Sequence, residues 1–203
     1  MLAVADGLGG HPAGDVASAA VIEALRPLDR PIEPTDLAAV LGRGINAANV
    51  LLRRRVEADS QLAGMATTVV ALLVAGSTAV LANVGDSRAY LLRNGETVQI
   101  TEDHTYGHLV AGAAGVPNLS VRLARFLDGR LDGRSPDLTA WDLRPGDRFL
   151  LCSDGLSSSL PHGQIHVTLS SPTSPDEAAD QLIALAIEEG GSDNITVIVV
   201  DVR

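Results

Sequence analysis

The segment between residues 67 and 100 constrains the fold of this chain more than any other. It contains four short runs of residues that favour β-structure, each separated from the next by a turn rich in Gly, Ser, Asp or Asn. The runs cover residues 67–75, 78–84, 89–93 and 97–100. The last two flank Asn94-Gly95, which is a strong signal for a two-residue β-hairpin. The segment therefore predicts a meander of antiparallel strands.

Helical patterns lie on both sides of this meander. Before it, a short strand at 2–5 leads into a helix at 13–25 that Pro27 ends, and a second helix runs from residue 34 to about 58. After it, the predicted elements are a strand at 148–152, a helix at 175–189 and a strand at 195–202. This order predicts an α+β chain with an antiparallel sheet system flanked by helices. We expect one domain over residues 1–203.

Residues 105–138 differ from the rest of the chain. They are rich in Gly and Arg, and their apolar residues show only weak periodicity. A surface excursion is expected there, with one short helix at residues 121–126.

Composition and charge exclude several classes of function. All fifteen basic residues are arginines, so Walker-A nucleotide binding, lysine Schiff-base chemistry and protein-kinase catalysis, which each need a lysine, are excluded. The net charge of −10 disfavours nucleic acid or an anionic membrane as a partner. The lone Cys152 excludes an internal disulfide and fits a reducing compartment. No apolar stretch approaches the roughly 18 residues of a membrane span, and we expect a cytoplasmic protein.

Four aspartates share one sequence context. Each lies at or just past the end of a predicted strand, beside Gly or Ser residues that let the backbone bend closely. They are Asp6, Asp86, Asp154 and Asp193. Carboxylates without thiols suit a hard divalent cation, and two such ions about 4 Å apart can activate a water for in-line attack on phosphorus. An Asp-Gly pair after a strand is more often a simple turn, so spacing alone leaves both interpretations open.

Other candidate sites fit the sequence less well. Ser158 occupies the position at which a cysteine-based phosphatase built on Cys152 would need an Arg, which favours a buried strand cysteine. His104 and His108 lie four residues apart but lack the acidic residue of a zinc-protease motif. We expect Asp103 and His104 to cap or brace a loop.

Six segments of the chain carry recognisable motifs in a fixed order. They are VADGLGGHPAGDVAS, MATTVVALLV, ANVGDSRAYLLRNGE, TEDHT, LLCSDGLSSSL and GGSDNITVIVV. Together they resemble the successive motifs of the PPM (PP2C-type) metal-dependent serine/threonine protein phosphatases, bacterial branch, over residues 2–202. The resemblance implies a PP2C-like β-sandwich of two antiparallel sheets flanked by helices, in a four-layer αββα arrangement.

The resemblance also implies a metal site and a reaction. Asp6 would bridge two ions, Mn²⁺ or Mg²⁺, and the Gly7 carbonyl would bind the second. Asp154 and Asp193 would bind the first ion, and Asp86 would bind a third together with Asp154. The implied reaction is hydrolysis of phosphoserine and phosphothreonine in proteins, the substrates of Ser/Thr kinases, by a metal-activated water. Asp6, Asp154 and Asp193 would be the catalytic residues.

The chain also departs from the family pattern. The opening strand of the family carries a phosphate-binding Arg, followed by an acidic Asn-Glu-Asp-type motif, but here Met1 stands where the second strand is already under way. No Arg precedes Asp6. Three interpretations stay open. They are an active phosphatase, a catalytically silent PP2C-fold domain that binds a phosphoprotein or a regulator, and an N-terminally incomplete fragment of an active phosphatase with a mis-called start.

Two regions near the implied site differ from many family members. Residues 105–138 correspond to the flap, which shapes substrate choice, and here the flap is short and Gly-rich. Many eukaryotic members place a His directly after the first Asp-Gly, where this chain has Leu8. His11 is therefore expected to cap a helix or to occupy a polar position in the core rather than to act as a general acid.

Overall fold

The eight strands of the described chain form two antiparallel sheets of four strands each. The computed structural model describes residues 1–9, 13–110, 119–130 and 135–203. The strands are β1 (Leu2–Val4), β2 (Val69–Ala75), β3 (Thr78–Val84), β4 (Arg88–Arg93), β5 (Glu96–Gln99), β6 (Asp137–Asp142), β7 (Arg148–Cys152) and β8 (Val197–Asp201). The α-helices are α1 (Gly14–Leu25), α2 (Leu37–Ala58), α3 (Tyr106–Leu109), α4 (Asp154–Ser157), α5 (His162–Ser170) and α6 (Pro175–Glu188), and 3₁₀ helices cover Arg26–Leu28, Pro34–Asp36 and Ser60–Leu62. None of the described helices is long and apolar enough to cross a membrane.

The chain divides into two compact units, and each unit contains one sheet. Unit 1 is Met1–Ser87 with Glu102–Asp142, and unit 2 is Arg88–Thr101 with Leu143–Arg203. Unit 1 contains the sheet β1-β2-β3-β6 and helices α1 to α3, whereas unit 2 contains the sheet β5-β4-β7-β8 and helices α4 to α6. The assignment of residues 1–203 to one domain stays a prediction.

The core of unit 1 lies between its two long helices and its sheet. The buried hydrophobic residues of α2 recur at helical spacing, and they are Leu37, Leu41, Ile45, Ala48 and Leu52. Alternate residues of β2, namely Val69, Ala71 and Leu73, belong to the same core, because alternate side chains of a strand point to one face. Burial of each such Leu, Ile or Val side chain contributes about 1.5–3 kcal/mol. This core fixes the sheet edge at which Asp6 follows β1.

The core of unit 2 lies between its sheet and helices α5 and α6. Helix α6 begins with a complete capping box, since Ser174 Oγ accepts the Glu177 N–H (3.2 Å) and the Glu177 carboxylate accepts the Ser174 N–H (2.9 Å). The core residues include Tyr90, Leu150, Cys152, Leu156, Ile165, Leu169, Leu182 and Ala186. Cys152 is buried on β7, which confirms the prediction of a buried strand cysteine. This core fixes the end of β7, which Ser153 separates from Asp154.

The helix predicted at residues 121–126 is wrong. The short helix of this region, α3, lies at Tyr106–Leu109 instead. The backbone of the 121–126 segment bonds to distant residues, because the Arg122 carbonyl accepts the Tyr106 N–H (2.9 Å) and the Ala124 N–H donates to the His104 carbonyl (2.7 Å). Groups that a helix would pair internally are therefore used by other parts of the chain.

Strand β6 and helix α5 have no counterpart in the sequence analysis. β6 pairs with β3 along its whole length although most of its side chains are exposed, so it lacks a hydrophobic pattern. α5 buries only Ile165, Thr168 and Leu169, which is a weak helical signal. The roles expected for His11 lie outside the described residues, as do residues 111–118 and 131–134 of the expected excursion.

Candidate metal centre

Asp6 follows β1, and its backbone is fixed by the pair Thr67-Thr68. The Asp6 N–H donates to Thr68 Oγ1 (3.1 Å). The Asp6 carbonyl accepts the Thr68 N–H (2.8 Å) and the Thr67 hydroxyl (2.8 Å). Thr67 and Thr68 are both buried, so water does not compete for these bonds. The Asp6 backbone therefore has both of its polar groups satisfied at the end of β1.

Gly7, the predicted carbonyl ligand, lies where no side chain fits. A Cβ at this position would overlap the carbonyl group of Gly14 at the start of α1. Gly7 also pairs with Thr67 in an isolated β-bridge, and the neighbouring Leu8 N–H donates to the Ala66 carbonyl (3.0 Å). Two backbone segments approach each other closely here, which explains the glycines at both positions.

Asp86 lies in the turn after β3, and this turn contacts the Asp6 segment through Thr68. Gly85 has a φ of +117°, in the region that favours glycine, and a Cβ there would lie 2.6 Å from the Thr68 Cβ. Ser87 Oγ lies 2.7 Å from Thr68 Oγ1, so the two hydroxyls share a hydrogen bond. The Thr68 hydroxyl thus links the Asp6 backbone to Ser87, the residue after Asp86. Unit 1 therefore brings two of the predicted carboxylate segments together.

Unit 2 brings the Asp154 and Asp193 segments together in another way. Asp154 is the first residue of α4 and follows Ser153 directly. The Ser153 hydroxyl donates to the Asn194 carbonyl (2.9 Å). A Cβ on Gly155 would overlap the same Asn194 carbonyl. The loop that carries Asp193 therefore packs against the first turn of α4.

The carboxylates differ in solvation. Asp154 Oδ1 is buried and has no hydrogen-bond partner among the described residues. Asp193 is exposed, and its Oδ1 accepts the Asn194 N–H (2.7 Å). A buried polar atom without a partner costs about 1–3 kcal/mol, and more when it is charged, so a bound cation would remove this cost at Asp154. Carboxylate and carbonyl oxygens are also the donors that a hard divalent ion prefers.

These segments form two pairs rather than a complete ligand cluster. Asp6 and Asp86 belong to unit 1, and Asp154 and Asp193 belong to unit 2. Within the described residues, no group of three or more His, Cys, Asp or Glu side chains is arranged to hold a metal ion. The ligand roles of the four aspartates and Gly7, and the catalytic roles of Asp6, Asp154 and Asp193, therefore stay predictions.

His104 braces a loop, which confirms the prediction for this residue, whereas the same role for Asp103 stays a prediction. The residue is fully buried. Its Nδ1 accepts the Gly85 N–H (3.0 Å), and its Nε2 lies 2.9 Å from Asp137 Oδ2. Burial lowers the pKa of His104 because it disfavours the charged ring. His108 is exposed on α3 and has no part in this arrangement.

The sequence analysis missed the hydroxyl residues that position the carboxylates. A local signal exists for some of them, because a Ser adjoins three of the four aspartates, namely Ser87, Ser153 and Ser192. Thr68 has no such signal, since Asp6 lies 62 positions away from it in the sequence. Contacts of that range follow from the strand pairing of β1 with β2.

Several known proteins are similar to this chain in sequence. The profile of the family described as "Protein phosphatase 2C" matches residues 1–186. The serine/threonine protein phosphatase PstP of Mycobacterium tuberculosis is 43% identical over 210 residues, which cover 100% of this chain and 40% of PstP. The serine/threonine phosphatase stp of Listeria welshimeri is 36% identical over 211 residues, which cover 98% of this chain and 82% of that protein. The chain therefore spans 40% of the length of PstP.

Solved structures are similar to this chain as well. A crystal structure of the Mycobacterium tuberculosis serine/threonine phosphatase PstP/Ppp has a TM-score of 0.89 at 43% identity, over 100% of this chain and 88% of that one. A crystal structure of the PstP catalytic domain in complex with two manganese ions has a TM-score of 0.89 at 45% identity, over 98% of this chain and 86% of that one.

Proposed function

This chain belongs to the protein phosphatase 2C family, and we propose that it hydrolyses phosphoserine and phosphothreonine in proteins with bound divalent ions. One observation carries the proposal. Asp154 Oδ1 is buried without a hydrogen-bond partner among the described residues, and a cation stabilises an oxygen in that state. The relatives from Mycobacterium and Listeria are named serine/threonine phosphatases, which supports the same reaction.

For the ions, we propose Mn²⁺ or Mg²⁺ bound by carboxylates and one carbonyl. Asp6 and the Gly7 carbonyl bind the pair of ions, Asp154 and Asp193 bind one of them, and Asp86 binds a third together with Asp154. The PstP catalytic domain has been solved with two manganese ions, which supports the pair of ions and Mn²⁺ as their kind. Ions of this kind lower the pKa of a water and offset negative charge on phosphoryl oxygens.

The contribution of the chain itself is to position the carboxylates before an ion binds. Thr68 fixes the Asp6 backbone and bonds to Ser87 beside Asp86. Ser153 fixes the loop that follows Asp193. Ligands that are already ordered lose little conformational entropy on binding, so more of the interaction energy appears as affinity.

A catalytically silent binding domain finds less support than an enzyme. A domain that only binds a phosphoprotein gains nothing from a buried carboxylate oxygen without a partner, such as Asp154 Oδ1. The relatives over the matched length are also named phosphatases.

We propose further that the substrates are products of Ser/Thr kinases and that the chain acts in the cytoplasm. Membership of the family supports the substrate class. The chain has a single cysteine and so cannot form an internal disulfide, which fits a reducing compartment. Residues 1–203 acting as one phosphatase domain, with residues 105–138 as its flap, are part of the same proposal. Residues 111–118 and 131–134 of that flap lie outside the described chain.

Phosphate release from a phosphothreonine peptide tests the proposed reaction. The chain is treated with a chelator and assayed with and without Mn²⁺, beside Asp193→Asn. Asp36→Asn is the matched control, because Asp36 is exposed before α2 and makes no capping hydrogen bond. We expect Mn²⁺-dependent release from the wild type and the control. In Asp193→Asn the rate should fall at least about a hundredfold, which corresponds to about 3 kcal/mol.

Two results would overturn the proposal. One is a folded wild-type chain that releases no phosphate in Mn²⁺ or Mg²⁺. The other is release that survives the chelator, because the reaction would then not depend on the ions.

A further inference from the structure

The imidazole of His104 lies between the turn before Asp86 and the first residue of β6. Nδ1 is 3.0 Å from the Gly85 nitrogen, and Nε2 is 2.9 Å from Asp137 Oδ2. A backbone N–H can only donate, so Nδ1 accepts, and Nε2 must carry the proton that it donates to Asp137. One neutral tautomer therefore satisfies both ring nitrogens in a fully buried side chain.

The Gly85 peptide is fixed by His104 from two sides. Besides its N–H, its carbonyl accepts the His104 N–H (3.0 Å) and the Asn83 side-chain amide (3.3 Å). A residue with a side chain would be strained at this position, because φ is +117° and a Cβ would overlap Thr68. The direction in which the chain enters Asp86 is therefore set by these bonds.

His104 also connects this turn to two other segments of unit 1. Its carbonyl accepts the Ala124 N–H (2.7 Å). Asp137 accepts the hydrogen bond from His104 Nε2, and its other carboxylate oxygen accepts a hydrogen bond from the Arg125 guanidinium (2.7 Å). The backbone and side chain of His104 together thus connect the Asp86 turn, the 124–125 segment and the start of β6.

We propose that His104 is the positioning residue of the Asp86 turn, and that its hydrogen bond to the Gly85 N–H orients Asp86 as a ligand for a divalent ion. This inference rests on the proposed function, in which Asp86 binds the third ion. His104 acts through Gly85 and not on substrate. Both of its ring nitrogens are engaged inside the protein, so it has no free position from which to exchange a proton with a reacting group.

Two substitutions separate the ring hydrogen bonds. In His104→Asn, the amide oxygen is attached to Cγ as Nδ1 is, so it can accept the Gly85 N–H while the bond to Asp137 is lost. In His104→Gln, the longer amide can donate to Asp137 as Nε2 does, but the Gly85 N–H loses its acceptor. His108→Gln is the matched control, because His108 is exposed.

Two measurements follow on these variants. The first is hydrogen exchange of the Gly85 amide in chelator-treated protein, which needs no metal. The second is a calorimetric Mn²⁺ titration, in which Asp86→Asn identifies the binding event that depends on Asp86. In His104→Gln we expect the Gly85 amide hydrogen to exchange faster. We also expect the Mn²⁺ affinity of the Asp86-dependent binding event to fall by about tenfold or more, as it does when residues that orient metal ligands are substituted. His104→Asn should restore both properties.

Other outcomes would overturn the inference. If His104→Gln has the same Gly85 exchange rate and the same Mn²⁺ affinity as the wild type, the hydrogen bond from the Gly85 N–H to His104 does not position Asp86. If His104→Asn and His104→Gln lose Gly85 protection and Mn²⁺ affinity equally, the loss comes from packing or from the contact with Asp137 and not from the bond to Gly85. If both variants fail to fold, the ¹⁵N spectrum of the wild type decides, because an Nδ1–H tautomer or a charged ring at neutral pH would contradict the inference. A wild type that binds no Mn²⁺ would overturn the proposed function, while Gly85 exchange would still test His104.

Discussion

Units 1 and 2 position their carboxylates by different means. In unit 1 the link between the Asp6 and Asp86 segments is made by side chains, namely the hydroxyls of Thr68 and Ser87, 2.7 Å apart. In unit 2 the Ser153 hydroxyl bonds to a backbone group, the Asn194 carbonyl (2.9 Å), and the same carbonyl occupies the space of a Cβ on Gly155. Both units therefore depend on a hydroxyl, but in unit 2 the partner is backbone that cannot move aside easily for a methyl group at Gly155.

The two carboxylates of unit 2 also differ in what each costs the protein without an ion. Asp154 Oδ1 is buried without a partner among the described residues, whereas Asp193 is exposed. Desolvation of a charged oxygen is unfavourable, so Asp154 should destabilise the metal-free chain and Asp193 should not. Binding of an ion reverses this cost, because a ligand that binds only the folded state stabilises it.

The largest effect on stability is expected for Gly155→Ala. The added methyl must displace the Asn194 backbone, and we expect a loss of about 2–3 kcal/mol in the free energy of unfolding. Gly163→Ala is the control, since no atom lies within 4 Å of a Cβ there, and it should be neutral or stabilising by up to about 1 kcal/mol. Denaturant unfolding measures both. Equal stabilities for the two variants would remove the role given to close packing in unit 2.

A somewhat smaller loss is expected for Thr68→Val. The substitution keeps the shape of the side chain but leaves the Asp6 N–H without its acceptor, at a cost of about 2 kcal/mol. A double-mutant cycle with Ser87→Ala should give a coupling of about 0.5–3 kcal/mol. Thr139→Val on the exposed face of β6 is the control and should change stability by less than about 0.5 kcal/mol. Strict additivity in the cycle would mean that the Thr68–Ser87 bond does not couple the two segments.

Asp154→Asn should stabilise the chelator-treated chain while it abolishes Mn²⁺-dependent activity. The Asp154 carboxylate is partly buried and its Oδ1 has no partner among the described residues, so removal of its charge should raise the free energy of unfolding by about 1 kcal/mol. Asp193→Asn should leave it within about 0.5 kcal/mol, because Asp193 is exposed. Thermal unfolding in chelator compares the two. A metal-free chain destabilised by Asp154→Asn would contradict the difference in solvation between the two ligands.

The smallest effect is the pH dependence that His104 contributes to unit 1. Burial lowers the pKa of this residue in the folded chain, against the opposing effect of Asp137, below the ordinary value of 6.5 that holds in the unfolded chain. The unfolded state therefore binds more protons, and the free energy of unfolding falls as the pH decreases below 6.5. From about pH 7.5 to about pH 5.5, the wild type should lose stability more steeply than His104→Asn. Parallel profiles for the two proteins would mean that His104 is not held neutral.

The resemblance to the PP2C phosphatases and the fold class with two antiparallel sheets are confirmed by family membership and by the solved structures. Strand β3 could be predicted to the residue because turn residues bracket a run in which only Thr78 and Asn83 are polar. Strand β6 could not, because its side chains are mostly exposed and only its pairing with β3 defines it. The helix expected at 121–126 failed for a related reason, since long-range hydrogen bonds to His104 and Tyr106 replace the local ones.

In the candidate metal site, too, local features could be predicted from the sequence and long-range contacts could not. The positions of Asp6, Asp86 and Asp154 just after strands could be predicted, because strand ends and glycines are local features. The same prediction for Asp193 is wrong, since Asp193 precedes β8. The pairing of the four aspartates could not be predicted, because Thr68 and Ser87 lie 19 positions apart and Ser153 and Asn194 lie 41 apart. Such pairs depend on how the strands are ordered in each sheet, and residue spacing does not encode that order.

A calorimetric titration of the chelator-treated chain with Mn²⁺ tests the central claim most directly, namely that the carboxylates of both pairs bind the ions. The wild type should bind at least two ions per chain, as the PstP catalytic domain does. Asp6→Asn in unit 1 and Asp154→Asn in unit 2 should each weaken this binding strongly. A folded wild type that binds no Mn²⁺, or full binding retained in either variant, would contradict the claim.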